Sequence, residues 1–436
     1  MLKKVCNEQK NKRIHEILSK LAKRKDIRIC SYDKGNGLAI VNTEDYNSKM
    51  YDILNDNSKF VMVPAEDDIT KHPTVTEESR VYRYLCKYVK RYVSDNTYKY
   101  IMPSGSEPGR MYGTVKVHKV NKPMRPIIST IGSVSYNLAK YLDSIIKKQI
   151  DDTYMLKSTQ HLINNINEHR NLFNDKNILV SFDVVSLFTN IPVDETIQMA
   201  ADLVYRENSS NKPKYGKDVF IKLCKFATQG HFLFDNKIFK QVDGVSMGSP
   251  LAPTLANLFL SEMERNWHNE ECSPIYYYRY VDDCICIFDD ISKVECFKQF
   301  LNQQHPNLEF TSEVGGKNIS FLDVNINMTN TVETSVFRKD TYTGLLLNFE
   351  ANCPKQWQSG LVLGMINRAY IISSTWNIFH DEIQKILHIF KSNGYPENFV
   401  LNLIKDQNKI ILFHFFVSQK TLKDSGKYWL KNLRES

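Results

Sequence analysis

The chain has 436 residues, 42% hydrophobic and 24% charged, with a net charge of +8. That length predicts two or three subdomains rather than one core. No apolar run reaches the length of a membrane span, and the nine cysteines are scattered without C-x-x-C spacing; these features argue against a membrane protein, a zinc site and a disulfide framework, and predict an intracellular protein.

Residues 1–30 hold ten Lys/Arg against three Asp/Glu, which accounts for about +7 of the net charge. The spacing of Ile14, Ile17, Leu18 and Leu21 predicts a basic helix from roughly Glu8 to Arg28. Such a stripe suits a nucleic-acid backbone and equally a solvated amphipathic face. Residues 27–41 read as strand, turn, strand, because Asp33-Lys34-Gly35-Asn36-Gly37 supplies turn residues. Lys34 is a candidate phosphate contact; the alternative is a plain hairpin. Residues 77–93 predict a helix with Val81, Leu85, Tyr88 and Tyr92 on one side and Lys87, Lys90 and Arg91 between the tyrosines. That composition fits stacking on bases, although tyrosines at this spacing also serve as core. Residues 102–109 read as a loop.

Residues 110–119 and 122–130 predict two strands carrying Lys116, Lys119, Lys122 and Arg125. Pro123 and Pro126 restrict the backbone around Arg125, and a rigid guanidinium near lysines suits a triphosphate. The alternative is an edge strand with protective charges. Residues 134–170 read as helical. Residues 177–188 form an apolar strand with a single acid, Asp183, near its end. A hairpin around Asp235-Asn236 feeds the loop Asp243-Gly244-Val245-Ser246-Met247-Gly248-Ser249-Pro250. Two glycines there permit close backbone approach. Ser249 with Pro250 can start the next helix, whose Leu251, Leu255, Leu258 and Phe259 make one buried stripe. Beyond it come a hairpin at 276–288, a helix at 291–304, a strand at 308–313, a turn at Gly315-Gly316-Lys317 and a strand at 319–324. Residues 355–436 show helical periodicity, with Arg368, Lys385 and Lys391 at polar positions.

The hairpin Tyr276–Phe288 places Asp282 and Asp283 side by side in an aromatic and aliphatic run. Two adjacent carboxylates repel unless a cation offsets them, and hard oxygen donors favour Mg²⁺ or Mn²⁺. An Asp-Asp turn alone is often only solvated. Asp183, in the same strand-end setting, completes a set of three carboxylates suited to two ions. Beside them, the Ser246–Pro250 loop reads as the wall of a substrate pocket.

In order, these motifs resemble the reverse transcriptases of Penelope-like retroelements. The match rests on Asp33-Lys34-Gly35, Tyr112-Gly113 to His118-Lys119, Arg125-Pro126-Ile127, Ser181-Phe182-Asp183 through Asn190-Ile191-Pro192 and Asp243-Gly244-Val245 to Ser249-Pro250. It continues through Arg279-Tyr280-Val281-Asp282-Asp283, Phe321-Leu322-Asp323 and Phe337-Arg338-Lys339 to Phe349. The resemblance implies an α+β right-hand polymerase. Residues 1–100 would be a basic extension, 101–175 fingers, 176–340 a palm of antiparallel sheet plus helices, and 341–436 a helical thumb. It implies RNA-directed DNA polymerisation from dNTPs onto a DNA primer or RNA–DNA hybrid, templated by RNA. Asp183, Asp282 and Asp283 would hold two Mg²⁺ or Mn²⁺ ions, and Arg125 and Lys116 the triphosphate. Phe188 would exclude a 2′-hydroxyl, and Lys317 is a weaker candidate to protonate pyrophosphate. Residence in nucleus or cytoplasm follows. Many relatives carry a C-terminal GIY-YIG endonuclease. No such signature precedes Ser436, so an endonuclease-lacking lineage or a truncated copy is expected. The competing readings are a non-catalytic nucleic-acid-binding relic and a reverse transcriptase of the telomerase or intron type.

Overall fold

The computed structural model describes residues 2–35, 37–64, 72–117, 119–207, 209, 212–265, 267–328 and 331–406. Its strands are β1 (Ile27–Ser31), β2 (Leu38–Asn42), β3 (Phe60–Val63), β4 (Gly109–Val115), β5 (Met124–Ser129), β6 (Ile178–Val184) and β7 (His231–Phe234). They continue as β8 (Lys237–Gln241), β9 (Tyr276–Tyr280), β10 (Asp283–Phe288), β11 (Phe310–Gly316), β12 (Asn318–Phe321), β13 (Val324–Met328) and β14 (Val332–Val336). The chain divides into two compact units. The first comprises residues 1–155, 182–274 and 292–312; the second comprises 156–181, 275–291 and 313–436.

In the first unit, β1 and β2 pair as an antiparallel hairpin. A five-stranded sheet has the order β3–β8–β7–β4–β5. The β7–β8 turn works because Asp235 and Asn236 both take left-handed backbone, φ 48° and 60°, the geometry that short polar residues tolerate in a tight hairpin. Helix Thr43–Leu54 lays Tyr46 and Met50 onto Met111, Val115, Met124, Phe232 and Phe239. Each such side chain contributes about 1.5–3 kcal/mol by burial. The Gly113 N–H donates to the Tyr46 hydroxyl at 2.7 Å, where a side chain at Gly113 would collide with Met50.

Three expected boundaries shift. The basic helix runs Leu2–Lys23, because Arg24 turns to pair with Asp26 and β1 follows; Ile14, Ile17 and Leu18 are exposed on it. The helix expected over 77–93 begins at Pro73, which needs no N–H there, and ends at Tyr88, followed by a 3₁₀ turn, Lys90–Tyr92. The helical stretch 134–170 is two helices, Tyr136–Ile146 and Thr159–Glu168.

A four-stranded sheet has the order β11–β6–β10–β9, and in the second unit β12–β13–β14 form an antiparallel meander. Leu162, Ile166, Leu179, Ile285, Ile287 and Val324 share one core there. The strand expected over 319–324 is broken. Leu322 takes φ 56°, so Leu322 and Asp323 form the β12–β13 turn. Helices Lys355–Ile372 and Trp376–Ser392 and the helical residues 397–406 bury a separate apolar cluster around Ile366, Phe379, Ile383 and Phe390. Thr375 caps the second helix by accepting from Ile378 N–H, and Arg338 grips Glu382 through both guanidinium nitrogens. Residues 407–436 of the expected thumb lie outside the described residues, as do Asn36 and His118. Among the described residues no helix is long and apolar enough to cross a membrane, and no disulfide joins the cysteines whose side chains are described.

Candidate active site

The loop after β1 docks on the end of β4. Asp33 N–H donates to the Val115 carbonyl at 2.9 Å, and Tyr32 bridges Val115 in parallel. Gly37 lacks a side chain where one would fall inside the Tyr32 ring. The docking carries Asp33 to Arg125, whose Nη1 lies 3.1 Å from the Asp33 carboxylate; the Asp33 side chain is 3% exposed. Arg125 sits on β5 opposite Thr114. Lys116, just past β4, is half-buried. Burial first and the neighbouring Arg125 next hold its ammonium below the ordinary lysine value, while Asp33 pulls the other way; Lys119 and the exposed Lys34 add to the positive field. Arg125, Lys116 and Lys34 thus form one cationic group around a buried acid.

The glycine loop is clamped to the far end of β5. Ser246 Oγ donates to the Ile128 carbonyl at 3.2 Å and Thr130 Oγ1 to the Gly248 carbonyl at 3.0 Å. A Cβ on Gly248 would fall on the Ile128 carbonyl oxygen. Gly244 takes φ +70°, and a Cβ there would stand 2.8 Å from the Thr189 carbonyl. The loop also meets the short helix Leu187–Asn190: Val245 N–H donates to the Phe188 carbonyl at 2.8 Å. Phe188, Ser246, Met247, Gly248, Ser249 and Pro250 are all half-buried. The helix after the loop differs from expectation. It runs Ala252–Glu264 with Pro253 in its first turn, and Ser249 stands outside it, accepting from Leu251 N–H at 3.4 Å. The apolar stripe from Leu251 to Phe259 is buried as expected.

Asp183 lies near the end of β6 between Phe182 and Val184, which are buried, while its own side chain is exposed. That is the strand alternation at work. Its carbonyl accepts from Thr311 Oγ1 at 3.3 Å. Asn190 donates to the Val185 carbonyl and accepts from Lys59; the following helix, Val193–Val204, has no side-chain cap.

In the second unit, β9 and β10 pair with Asp283 opposite Tyr280. Val281 and Asp282 are therefore the turn, and Val281 takes φ 57°. Left-handed backbone at a β-branched residue costs about 1–3 kcal/mol. Arg279 holds the turn: its side chain is fully buried, and Nη1 donates to the Val281 carbonyl at 2.8 Å. The role of Arg279 was hidden in the sequence, although an arginine in an otherwise apolar strand is itself a sign of a built-in partner. Asp282 and Asp283 are half-buried.

Lys317 is placed elsewhere. Its ammonium donates to the main-chain carbonyls of Asp175 and Asn177, and Asn177 lies six residues before Asp183 on the chain entering β6, roughly 20 Å of extended strand away. It serves structure and is not part of the candidate site. Arg368 is anchored at its polar position: Nε donates to Asp323 at 2.6 Å, and Thr159 donates to the other Asp323 oxygen.

Among the described residues no group of three His, Cys, Asp or Glu forms a metal cluster. The donor chemistry of Asp183, Asp282 and Asp283 nonetheless fits a hard divalent ion, since all three offer carboxylate oxygens that are exposed or half-buried.

Residues 117–311 match the model of the reverse transcriptase (RNA-dependent DNA polymerase) family. That stretch, a little under half of the chain, is similar to a reverse transcriptase domain. Residues 345–405, which hold the three C-terminal helices, match the animal helix-turn-helix domain. Among solved structures, the telomerase from Candida albicans in complex with a fragment of telomeric RNA is similar, with a TM-score of 0.58 and 11% identity over 94% of this chain and 70% of that one. The apo telomerase from Candida tropicalis is similar at TM-score 0.49 and 12% identity, over 88% of this chain and 66% of that one. No curated protein matches the chain. The first likeness shows that the chain has the α+β fold of a polymerase.

Proposed function

We propose that the chain is an RNA-directed DNA polymerase of a Penelope-like retroelement, transferring nucleotides from dNTPs to a primer 3′-hydroxyl on an RNA template. The observation that carries this reading is that Asp183, Asp282, Asp283, Arg125, Phe188 and the glycine loop all fall within the segment that matches the reverse transcriptase family.

In this reading Asp183 and Asp282, supported by Asp283, hold two divalent ions, Mg²⁺ or Mn²⁺. When bound, those ions supply an acidified 3′-hydroxyl and charge compensation for pyrophosphate. Arg125 and Lys116 grip the triphosphate, with Asp33 fixing the guanidinium and Lys34 at the edge. The Phe188 ring lies under the incoming sugar and leaves no room for a 2′-hydroxyl, which restricts the product to DNA. The loop Ser246–Pro250 walls the nucleotide pocket, held against β5 and against the Phe188 carbonyl. Partners are an RNA template and a DNA primer or RNA–DNA hybrid, in nucleus or cytoplasm.

Extension of a DNA primer on an RNA template with dNTPs and Mg²⁺ tests this. Wild-type extension that Asp282→Asn lacks supports the reading. RNA binding without extension makes the chain a binding relic, and extension that survives Asp282→Asn moves the chemistry elsewhere.

A further inference from the structure

Of the tyrosines between residues 82 and 100, Tyr84, Tyr92 and Tyr98 are half-buried and the other three are exposed. Val81, Leu85 and Val89 fill the core, whereas Tyr82, Tyr88 and Tyr100 are 49%, 37% and 47% exposed. The helix Pro73–Tyr88 therefore buries Val81 and Leu85 and leaves Tyr82 and Tyr88 in solvent. Cations stack on this ring set. Lys87 lies 5.0 Å over Tyr88, Lys90 5.5 Å over Tyr98 and Arg91 4.7 Å over Tyr92. Tyr84 and Tyr88 are 4.7 Å apart on one side of the helix, and Tyr98 OH lies 3.0 Å from Cys86 Sγ. The helix Tyr136–Ile146 adds a further cation–ring pair, with Lys140 4.5 Å over Tyr136.

Few acids offset this charge. Three acids occur in residues 73–101. Glu77 is buried against His231, and the Glu78 carboxylate accepts from the Gly105 and Ser106 N–H groups, which leaves Asp95 at the surface. Among the described residues none of Lys87, Lys90, Arg91, Lys99 and Lys140 forms an ion pair. An exposed cationic face without counter-charges seeks a polyanion, and exposed rings beside it seek flat partners. Single-stranded nucleic acid offers both, because its bases are free to stack; a duplex offers only the charge.

We propose that this face, on the first unit, binds single-stranded RNA through backbone contacts to Lys87, Lys90 and Arg91 and base stacking on Tyr82 and Tyr88. The choice of RNA over DNA rests on the proposed template; the choice of a single strand rests on the exposed rings alone.

The test is fluorescence anisotropy of a labelled 20-nucleotide poly-U RNA with the full chain across a salt series. Lys87→Ala/Lys90→Ala/Arg91→Ala should weaken binding about tenfold or more and lower the slope of log affinity against log salt by about 2. Tyr82→Ala/Tyr88→Ala should weaken binding about tenfold with the slope unchanged. All five side chains are at the surface, so both variants should keep the wild-type circular dichroism; Lys87→Glu alone serves as a single-site check. Wild-type-like affinity in the triple-charge or tyrosine variant, or tighter binding of duplex RNA than of single strands, overturns the proposal. Equal binding of DNA of the same length overturns the assignment to RNA. Failure here is separable from failure of the polymerase reading: Asp282→Asn should abolish extension and leave this affinity intact.

Discussion

Arg125 on β5 and Asp33 from the loop after β1 meet at 3.1 Å, ninety-two residues apart in the chain. The acid is buried and the guanidinium is about one-third exposed, so the pair holds the arginine in place more than it stabilises the fold. Asp33→Asn should raise the KM for dNTP about tenfold while leaving kcat within about threefold, since the ion pair that aims Arg125 is lost. Steady-state extension at varied dNTP reads both terms. Unchanged KM would remove Asp33 from the site.

Lys116 provides a pH dependence. Burial and Arg125 lower its folded value below the ordinary 10.5. Between the two values the unfolded chain binds more protons, so stability rises with pH across that window. Function moves the opposite way: the cation disappears as pH climbs through the lowered value. The kcat/KM for dNTP should therefore fall on the alkaline side before ordinary lysines titrate, and Lys116→Arg should remove that limb.

Gly248→Ala sets a side chain against the Ile128 carbonyl, on backbone that cannot yield. Stability should fall by about 1–3 kcal/mol and primer extension should be lost, because the loop and β5 are forced apart. Gly105→Ala meets nothing within 4 Å and carries only the penalty of φ +63°, roughly 1 kcal/mol. Thermal melts and extension assays of the two variants should diverge.

Glu382 is 4% exposed and Arg338 17% exposed. Glu382→Gln leaves a buried guanidinium without its charge partner and should destabilise the C-terminal helices by about 3–5 kcal/mol. Arg338→Leu/Glu382→Leu should recover most of that loss. Denaturant titration followed by Trp357 and Trp376 fluorescence measures both.

Local pattern reveals the hairpins well. Alternation plus Asp-Lys-Gly, Asp235-Asn236 and Asp282-Asp283 mark β1–β2, β7–β8 and β9–β10, since side-chain period and turn chemistry are short-range properties. The partnerships Asp33–Arg125, Asp323–Arg368 and Arg279 with Val281 were not legible. The first two join residues far apart in the chain, and the third depends on a backbone angle that valine rarely takes. Lys317 was misplaced for a related reason: its position after Gly315-Gly316 reads as an exposed loop, whereas the turn folds it back onto the chain entering β6. Ser249 resembled a cap because the residue before a proline so often is one; Pro253 takes the helix-starting place instead.

The Val281 turn has a wider consequence. Nothing in valine's own preference favours φ 57°, so the hairpin that carries Asp282 persists only while β9, β10 and the buried Arg279 enforce it. A chain whose strands have frayed relaxes that angle at once and withdraws the acid.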